Sequence, residues 1–270
     1  MKPQTALLSA LMITATLFSC SKNNDHPAEG TVLKSYKTTF RDTIVFYYIY
    51  DRDANNKIIS MRDSTKAYEF KTTLTYGSNG KVDKAVFNQV GNTVYSMEFT
   101  YNSDGRISKR KIRSGIQPVN EDYNVYVYDA AGHLVTDSAY STVNNTTFFL
   151  QMVSNFKYTG DNITEAENYT QNNGTLTLDT RLKYEYDSRV NPFKDMEYEY
   201  YFNEAGSAIY TIQLKSSNNV LKAYLGDGGS GWNLWQNSTY EYNSNNFAKK
   251  TTTQSIVAPQ GNAVVDYYYQ

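Results

Sequence analysis

The sequence predicts an all-β protein: an antiparallel meander of about 16–18 strands, built from β-hairpin repeats and curled or closed into a large soluble barrel. Three observations carry this. Tyrosine supplies 26 of the 270 residues and outnumbers Phe and Trp together. The tyrosines recur at nearly even steps along the chain. Between them stand turn residues, followed by runs that alternate apolar and polar side chains. Self-similarity at a fixed period marks an array, and period-two alternation marks strands.

The clearest units are Leu74-Thr75-Tyr76-Gly77-Ser78-Asn79-Gly80-Lys81-Val82, Phe99-Thr100-Tyr101-Asn102-Ser103-Asp104-Gly105-Arg106-Ile107 and Tyr126-Val127-Tyr128-Asp129-Ala130-Ala131-Gly132-His133-Leu134. Weaker copies centre on Tyr50, Tyr158, Tyr186, Leu214 and Tyr242, so successive anchors lie 26, 25, 27, 30, 28, 28 and 28 residues apart. One more step reaches Tyr268 or Tyr269.

The aromatic residues two apart share one strand face. The polar stretch that follows suits a type I turn closed by a left-handed residue, where Gly carries no Cβ penalty. Asn218 and Asn246 are expected to take the place of that glycine. Asp51, Asp129 and Asp187 are expected to stabilise turns through their side chains. A basic residue and an aliphatic then open the returning strand. Eight or nine such hairpins give the strand number above.

The unit resembles the YD repeat of Rhs and teneurin-type proteins, with its Tyr-Asp-x-x-Gly-Arg-Ile/Leu core, over roughly residues 45–250. The chain also resembles lipoproteins of Bacteroidetes that carry degenerate repeats of this kind, among them a family with a porin-like fold. Asp187-Ser188-Arg189-Val190-Asn191-Pro192-Phe193 resembles the Asn-Pro-Phe punctuation of those proteins. The Leu214 unit lacks the tyrosine, and the self-cleaving core that caps toxin-bearing Rhs arrays has no counterpart, so toxin encapsulation is not implied.

A membrane-spanning barrel would need a lipid-compatible outer face. In Val94–Tyr101 one face holds Tyr95, Met97, Phe99 and Tyr101, while the other holds Val94, Ser96, Glu98 and Thr100. In Ile107–Arg113 one face carries Lys109, Lys111 and Arg113, and the other Arg110. Charges on both faces favour water outside and an aromatic interior.

Residues 1–19 read as a signal peptide: Lys2 precedes an apolar stretch from Thr5 to Phe18 that is too short to span a bilayer. Leu17-Phe18-Ser19-Cys20 resembles the bacterial lipobox, which implies cleavage before Cys20, diacylation of its sulfur and a stable membrane anchor. An ordinary secretory signal is the competing reading, but Cys20 is the one cysteine of the chain and has no disulfide partner. Residues 20–30 comprise the lipidated Cys and a polar tether, its last ten residues reaching at most roughly 33 Å. Ser21 after the cysteine implies, by analogy with Gram-negative sorting, the outer membrane, with the surface-facing side favoured. Residues 31–270 form the single hairpin-repeat domain.

Removal of residues 1–19 leaves 25 basic and 27 acidic side chains, which gives no global attraction for nucleic acid. With no Cys after position 20 and only His26 and His133, no metal site or cofactor is expected, and His133 reads as a solvated turn residue. No Gly-x-Ser-x-Gly elbow is present, and no catalytic residue is assigned. The pairs Glu165/Glu167, Glu197/Glu199 and Glu185/Asp187 could serve a carboxylate-dependent glycosidase, but alternation with tyrosines places them on a solvated face.

Residues 226–235, Gly-Asp-Gly-Gly-Ser-Gly-Trp-Asn-Leu-Trp, form the best candidate binding loop. Trp232 and Trp235 offer flat faces for a sugar ring, with Asp227 and Asn233 as hydrogen-bonding partners. Asp42-Thr43-Ile44, Asp63-Ser64-Thr65 and Asp137-Ser138-Ala139 resemble the O-glycosylation motif of exported Bacteroidetes proteins. The expected function is non-enzymatic: a lipid-anchored envelope protein binding an extracellular glycan or other ligand. A structural or adhesive surface module that meets an envelope protein is the alternative.

Overall fold

The computed structural model describes residues 31–40, 44–65, 69–89, 92–115, 121–142, 146–194, 196, 212, 215–226, 229–256 and 262–270. The signal peptide, Cys20 and the tether lie outside the described residues, as do Asp42, Thr43, Glu197, Glu199, Leu214 and Asp227.

Sixteen antiparallel strands form a meander that closes into a barrel. They are β1 Leu33–Phe40, β2 Ile44–Arg52, β3 Ile58–Ser64, β4 Glu69–Tyr76, β5 Val82–Gln89, β6 Asn92–Tyr101, β7 Ile107–Ser114 and β8 Glu121–Tyr128. The second half comprises β9 Leu134–Thr142, β10 Phe148–Thr159, β11 Asn162–Asn172, β12 Thr175–Val190, β13 Asn218–Gly226, β14 Trp232–Tyr242, β15 Ala248–Ser255 and β16 Ala263–Tyr269. Closure is made by β1 on β16, with Tyr36 opposite Tyr267. A closed sheet leaves no strand edge to pair with another chain.

The repeat maps onto one rim. Apart from β12, each even strand ends at or beside an anchor, and a tight turn leads from β2, β4, β6, β8, β10 and β14 into the next odd strand; this rim is called the turn end, and the opposite one the loop end. The turns carry the expected geometry. Gly105 has φ +80°, its N–H donates to the Asn102 carbonyl, and the Asn102 side chain accepts from the Arg106 N–H. Asn56 and Asn246, both at φ +64°, replace the glycine in their turns. Asn218 does not, contrary to expectation: it lies in β13, where its side chain accepts from Asn162 and donates to the Arg189 carbonyl. Asp51 is corrected too. The first unit is longer, so Asp53 caps its turn by accepting from the N–H groups of Asn55 and Lys57. Asp51 stays in the strand and accepts from Ser60 and Arg62.

A register shift follows the first residue of each returning strand, for example where Tyr101 faces Ile107 but Phe99 faces Arg110. The extra residue reverses the strand's parity, so Ile107 and Arg110 both point inward and Lys109 and Lys111 outward. The same shift recurs at the described tyrosine anchors Tyr76, Tyr128, Tyr158, Tyr186 and Tyr242, at Arg52 in the first unit, and at the closing pair, between Leu33 and Ser35. Inward-facing Val82, Ala85, Met97, Ile107, Ile163, Ala166 and Leu182 are at most 1% exposed.

The anchors do more than fill the core. Each hydroxyl reaches back to the carbonyl of the aliphatic residue that opened the preceding unit's returning strand. Tyr76 donates to Ile58 (2.6 Å), Tyr101 to Val82 (2.7 Å), Tyr128 to Ile107 (2.7 Å), Tyr158 to Leu134 (3.1 Å), Tyr186 to Ile163, and Tyr269 to Ala248 (2.6 Å). In the first unit Arg52 stands at the anchor register and donates to Leu33 (3.3 Å). In the seventh, Tyr240 donates to Val220 (2.9 Å), while Tyr242 bonds Asp187. Burial pushes the phenols of Tyr158, Tyr186 and Tyr269 well above their ordinary value, so they remain donors.

The cation of one unit lies over the ring of the next. Lys57 and Lys81 sit 5.0 Å from the centroids of Tyr76 and Tyr101 and donate to the carbonyls of Gly80 and Gly105. A Cβ on Gly105 would meet Lys81 Nζ at 1.9 Å, so a side chain there would displace the lysine's end in addition to straining a backbone at positive φ.

Tyr101→Phe is expected to cost about 1–2 kcal/mol, because it leaves the Val82 carbonyl unpaired. A lower urea midpoint with an unchanged m-value would show it. Gly105→Ala should cost roughly 1 kcal/mol or more, since it strains the backbone and displaces Lys81; equal stability with wild type would contradict the packing described.

Candidate functional site

The long β12–β13 connection interrupts the series of tight turns and enters the barrel. Asn191 N–H and side chain donate to the carbonyls of Ser217 and Ser216, which ties the two ends of the connection together. Phe193 is 3% exposed and meets Tyr36 edge-on at 5.2 Å and Tyr267 at 5.9 Å. Met196 and Ile212 are buried as well. Opposite them, Ser216 accepts from the Ile163 N–H and meets the Tyr186 hydroxyl at 2.9 Å. The described residues of the connection therefore reach across the lumen at the turn end, from Phe193 at β1/β16 to Ser216 at β11.

Beside it lies a cavity of about 330 Å³, lined by Gly105, Arg106, Tyr128, Gly132, His133, Leu134, Tyr158 and Lys215. Arg106 lies over the Tyr128 ring at 5.7 Å, and His133 stacks on Tyr158 with centroids 4.4 Å apart. His133 was expected in solvent. Its side chain is instead 21% exposed, with Nδ1 3.2 Å from Asp129 and Nε2 3.0 Å from Asp161. The reason is positional: it holds the cation's place in its unit, and the shortened next turn brings Asp161 within reach. The hydrogen bond to Asp161, then that to Asp129, raises its pKa against the opposing effect of burial.

The lumen holds a second polar group. Arg110, 2% exposed, donates to Asn124 at 2.7 Å, and Asn124 donates to Asp137 at 2.8 Å. These residues join β7, β8 and β9 in a buried chain of hydrogen bonds.

The outer face is charged across the middle of the strands. Lys84, Glu98 and Lys111 stand side by side on β5, β6 and β7. Lys157 meets Glu165 at 2.8 Å, Arg181 meets Glu167 at 3.7 Å, Lys222 meets Glu185 at 3.1 Å, and Lys111 meets Glu121 at 2.7 Å. The described carboxylates of the expected pairs are thus engaged. Hydrogen bonds from Tyr224 and Lys222 lower the pKa of Glu185, which suits a carboxylate and not a general acid. Asp187 accepts from Arg189, Asn219 and Tyr242 and fastens β12 to β13 and β14. Asp63, whose pKa burial raises, faces the non-acidic Tyr48 and Phe70 across its strand pairs.

The tryptophans lie at the loop end. Trp232 opposes Gly226 on the outer face with the Arg181 guanidinium 4.7 Å from its ring, and that guanidinium also donates to the Gly229 carbonyl. Asn233 is exposed. Trp235 falls at the register shift of β14 and packs in part against the core.

With this geometry in view, two solved structures share the fold. A porin-like protein from Bacteroides uniformis superposes with a TM-score of 0.56 at 9% identity, over 89% of this chain and 98% of the other. A porin-like protein from Bacteroides vulgatus gives 0.55 at 11% identity, over 89% and 99%. The likeness is one of fold. No protein-family model matches the sequence, and no curated protein does either. Within the shared architecture, the residues that sequence reasoning missed are Arg106 and Lys215 around the cavity. Arg106 reads in sequence as an ordinary repeat cation, and Lys215 lies in a unit without a tyrosine.

Stability should depend on pH through His133. Its folded pKa exceeds the ordinary 6.5, so the stabilisation is fully present below that value and is lost as pH rises through the folded pKa. The urea midpoint of the wild type is expected to fall across this window, and His133→Asn should flatten the change.

Proposed function

We propose that the protein is a lipid-anchored barrel of the cell envelope that acts as a non-catalytic binding module and not as a pore. The observation that carries this is the belt of alternating charges across the middle of the outer strands. At mid-bilayer each Lys or Arg would cost roughly 2–4 kcal/mol, and this face holds several around the circumference. The connection between β12 and β13, packed on Tyr36 and Tyr267, obstructs the lumen as well.

Orientation follows from the strand order. β1 begins at the turn end, where Leu33 faces Tyr269, so a tether from Cys20 would hold that rim toward the membrane. The loop end would then face outward, and Trp232 on its outer face would offer a flat ring to a glycan. The adhesive alternative is favoured by a different patch. On the outer face near the loop end, Tyr123 stacks on Tyr140 (4.7 Å) and lies 5.0 Å from Phe148, and Leu176 and Leu178 are more than 40% exposed.

Three measurements test the reading. Cys20→Ala should abolish labelling by a radioactive fatty acid and release the protein from the membrane fraction. Purified protein should add no conductance to a planar bilayer, and stepwise channel openings would overturn the proposal. On a glycan array followed by calorimetry, Trp232→Ala should weaken binding about tenfold or more, as expected where one aromatic face carries a contact. Protein capture through the Tyr123–Leu178 patch without any glycan affinity would favour the adhesive reading.

A further inference from the structure

One carboxylate faces the lumen with no counter-ion among the described residues. Register and exposure place it there: exposed Tyr47 lies opposite Ser64, so the next pair, Tyr48 with Asp63, faces inward. Phe70 continues that row on β4, and Tyr36, 2% exposed, opens it on β1. The neighbouring cations point the other way. Arg62 pairs with Asp51 at 3.2 Å on the outer face, and Lys71 stands opposite Arg62 there. Asp63 Oδ1 is withdrawn from solvent and has no hydrogen-bond partner. Burial raises the pKa of the carboxyl, offset in part by its own backbone N–H, and no cation enters that balance.

The same sign prevails around it. Inward-facing Asp122 lies opposite Ile112, and inward-facing Asp137 lies opposite Tyr126. Among the described residues, the basic side chain that the registers turn into this part of the lumen is Arg110, which donates to Asn124. Asp63, Asp122 and Asp137 against Arg110 leave a negative balance, which low-dielectric walls concentrate. Aromatic rings border the Asp63 row. Tyr48 stacks on Tyr36 at 4.3 Å, and Phe87 stacks on Tyr95 at 4.0 Å one inward row nearer the turn end. A carboxylate among aromatic side chains is the composition that recognises an ammonium group, through its charge and through the negative faces of the rings. A metal ion fits less well: calcium takes about six to eight oxygens, and among the described residues no group of three metal-ligating side chains is present. Asp63 is half-buried and not sealed, so solvent reaches its side chain.

We propose that Asp63 is the anionic centre of a lumenal site for a small organic cation, a protonated amine or quaternary ammonium on a compact apolar body, bordered by Tyr48 and Phe70. Binding supplies the counter-charge that the fold itself withholds, and the aromatic row gives the body of the ligand an apolar wall. The site lies inside the barrel, whereas Trp232 lies on the outer face, and it does not depend on glycan binding there.

Calorimetry on the purified full chain at neutral pH tests this with benzylamine, choline and n-butylamine, set against benzyl alcohol, benzoate and calcium chloride. Saturable binding of at least one organic cation, with none of the alcohol or benzoate, is expected. Asp63→Asn should weaken it about tenfold or more, the scale of a lost interaction with a charged group. This exchange removes a buried charge without changing the size of the side chain, and circular dichroism separates loss of binding from loss of fold. Asp51→Asn, on the outer face of the same hairpin, should leave the affinity unchanged. No saturable binding of any organic cation, equal binding of benzyl alcohol, binding of calcium alone, or an affinity unchanged in folded Asp63→Asn would overturn the proposal. An equal loss in Asp51→Asn would put the cation on the outer face and overturn it too. Glycan binding at Trp232 is untouched by any of these outcomes.

Discussion

A hydrogen bond from a buried phenol to a backbone carbonyl one unit back is the interaction on which the rest of this barrel depends. Antiparallel pairing alone ties each strand to its two neighbours. The phenol bond skips a step: Tyr101 at the end of β6 holds the first carbonyl of β5, and Tyr128 at the end of β8 holds that of β7. The carbonyl lies beside the register shift, where the ladder is locally broken and an acceptor would otherwise be left unmet. Tyrosine therefore closes a fault that the bulge opens. Phenylalanine would fill the same volume but leave the acceptor bare, which accounts for the bias toward Tyr over Phe.

The same geometry governs which charges are inside. Because the bulge reverses parity, Arg110 enters the lumen although its neighbours Lys109 and Lys111 do not. A buried guanidinium costs less when its donors find acceptors; Arg110 donates to Asn124 on the next strand, which in turn donates to Asp137. The inside of the barrel is thus a layered packing of aromatics with a hydrogen-bonded polar network. The outside is a cross-strand pattern of opposite charges.

Much of this was legible in the sequence because the repeat has a physical cause at each position. The anchor spacing, the turn glycines and the inward face of β6 follow from parity and from φ, which local sequence reports. Three features were not legible. Arg52 takes an anchor's role with a different side chain, so a pattern built on tyrosine places the first unit on Tyr50 and mistakes Asp51 for the turn residue. Asn218 sits where a spacing of 28 expects a turn, but the β12–β13 connection enters the barrel and the spacing there no longer reports a hairpin. Trp235 sits at a register shift, and no periodicity announces which way such a residue turns. The cavity was hidden for a related reason: it is assembled from Arg106, His133 and Lys215, residues distant in sequence that meet because the lumen is crossed.

The departures from the repeat are informative as a set. A regular array of eight identical hairpins would use every turn-end cation in the same way, on the following ring and glycine carbonyl, and would leave no chemistry at that rim. Here the shortened Tyr158 unit diverts His133 to Asp161, and Arg106 replaces a lysine without taking up its carbonyl. The connection after Val190 brings Lys215 to the same wall. Each change weakens the regular ladder locally, and all three converge on one cavity. Stability of the barrel does not require that convergence, since the Tyr128 and Tyr158 hydroxyl bonds are kept on both sides of it. The tyrosine ring supplies the rigid frame within which these departures from the repeat are tolerated.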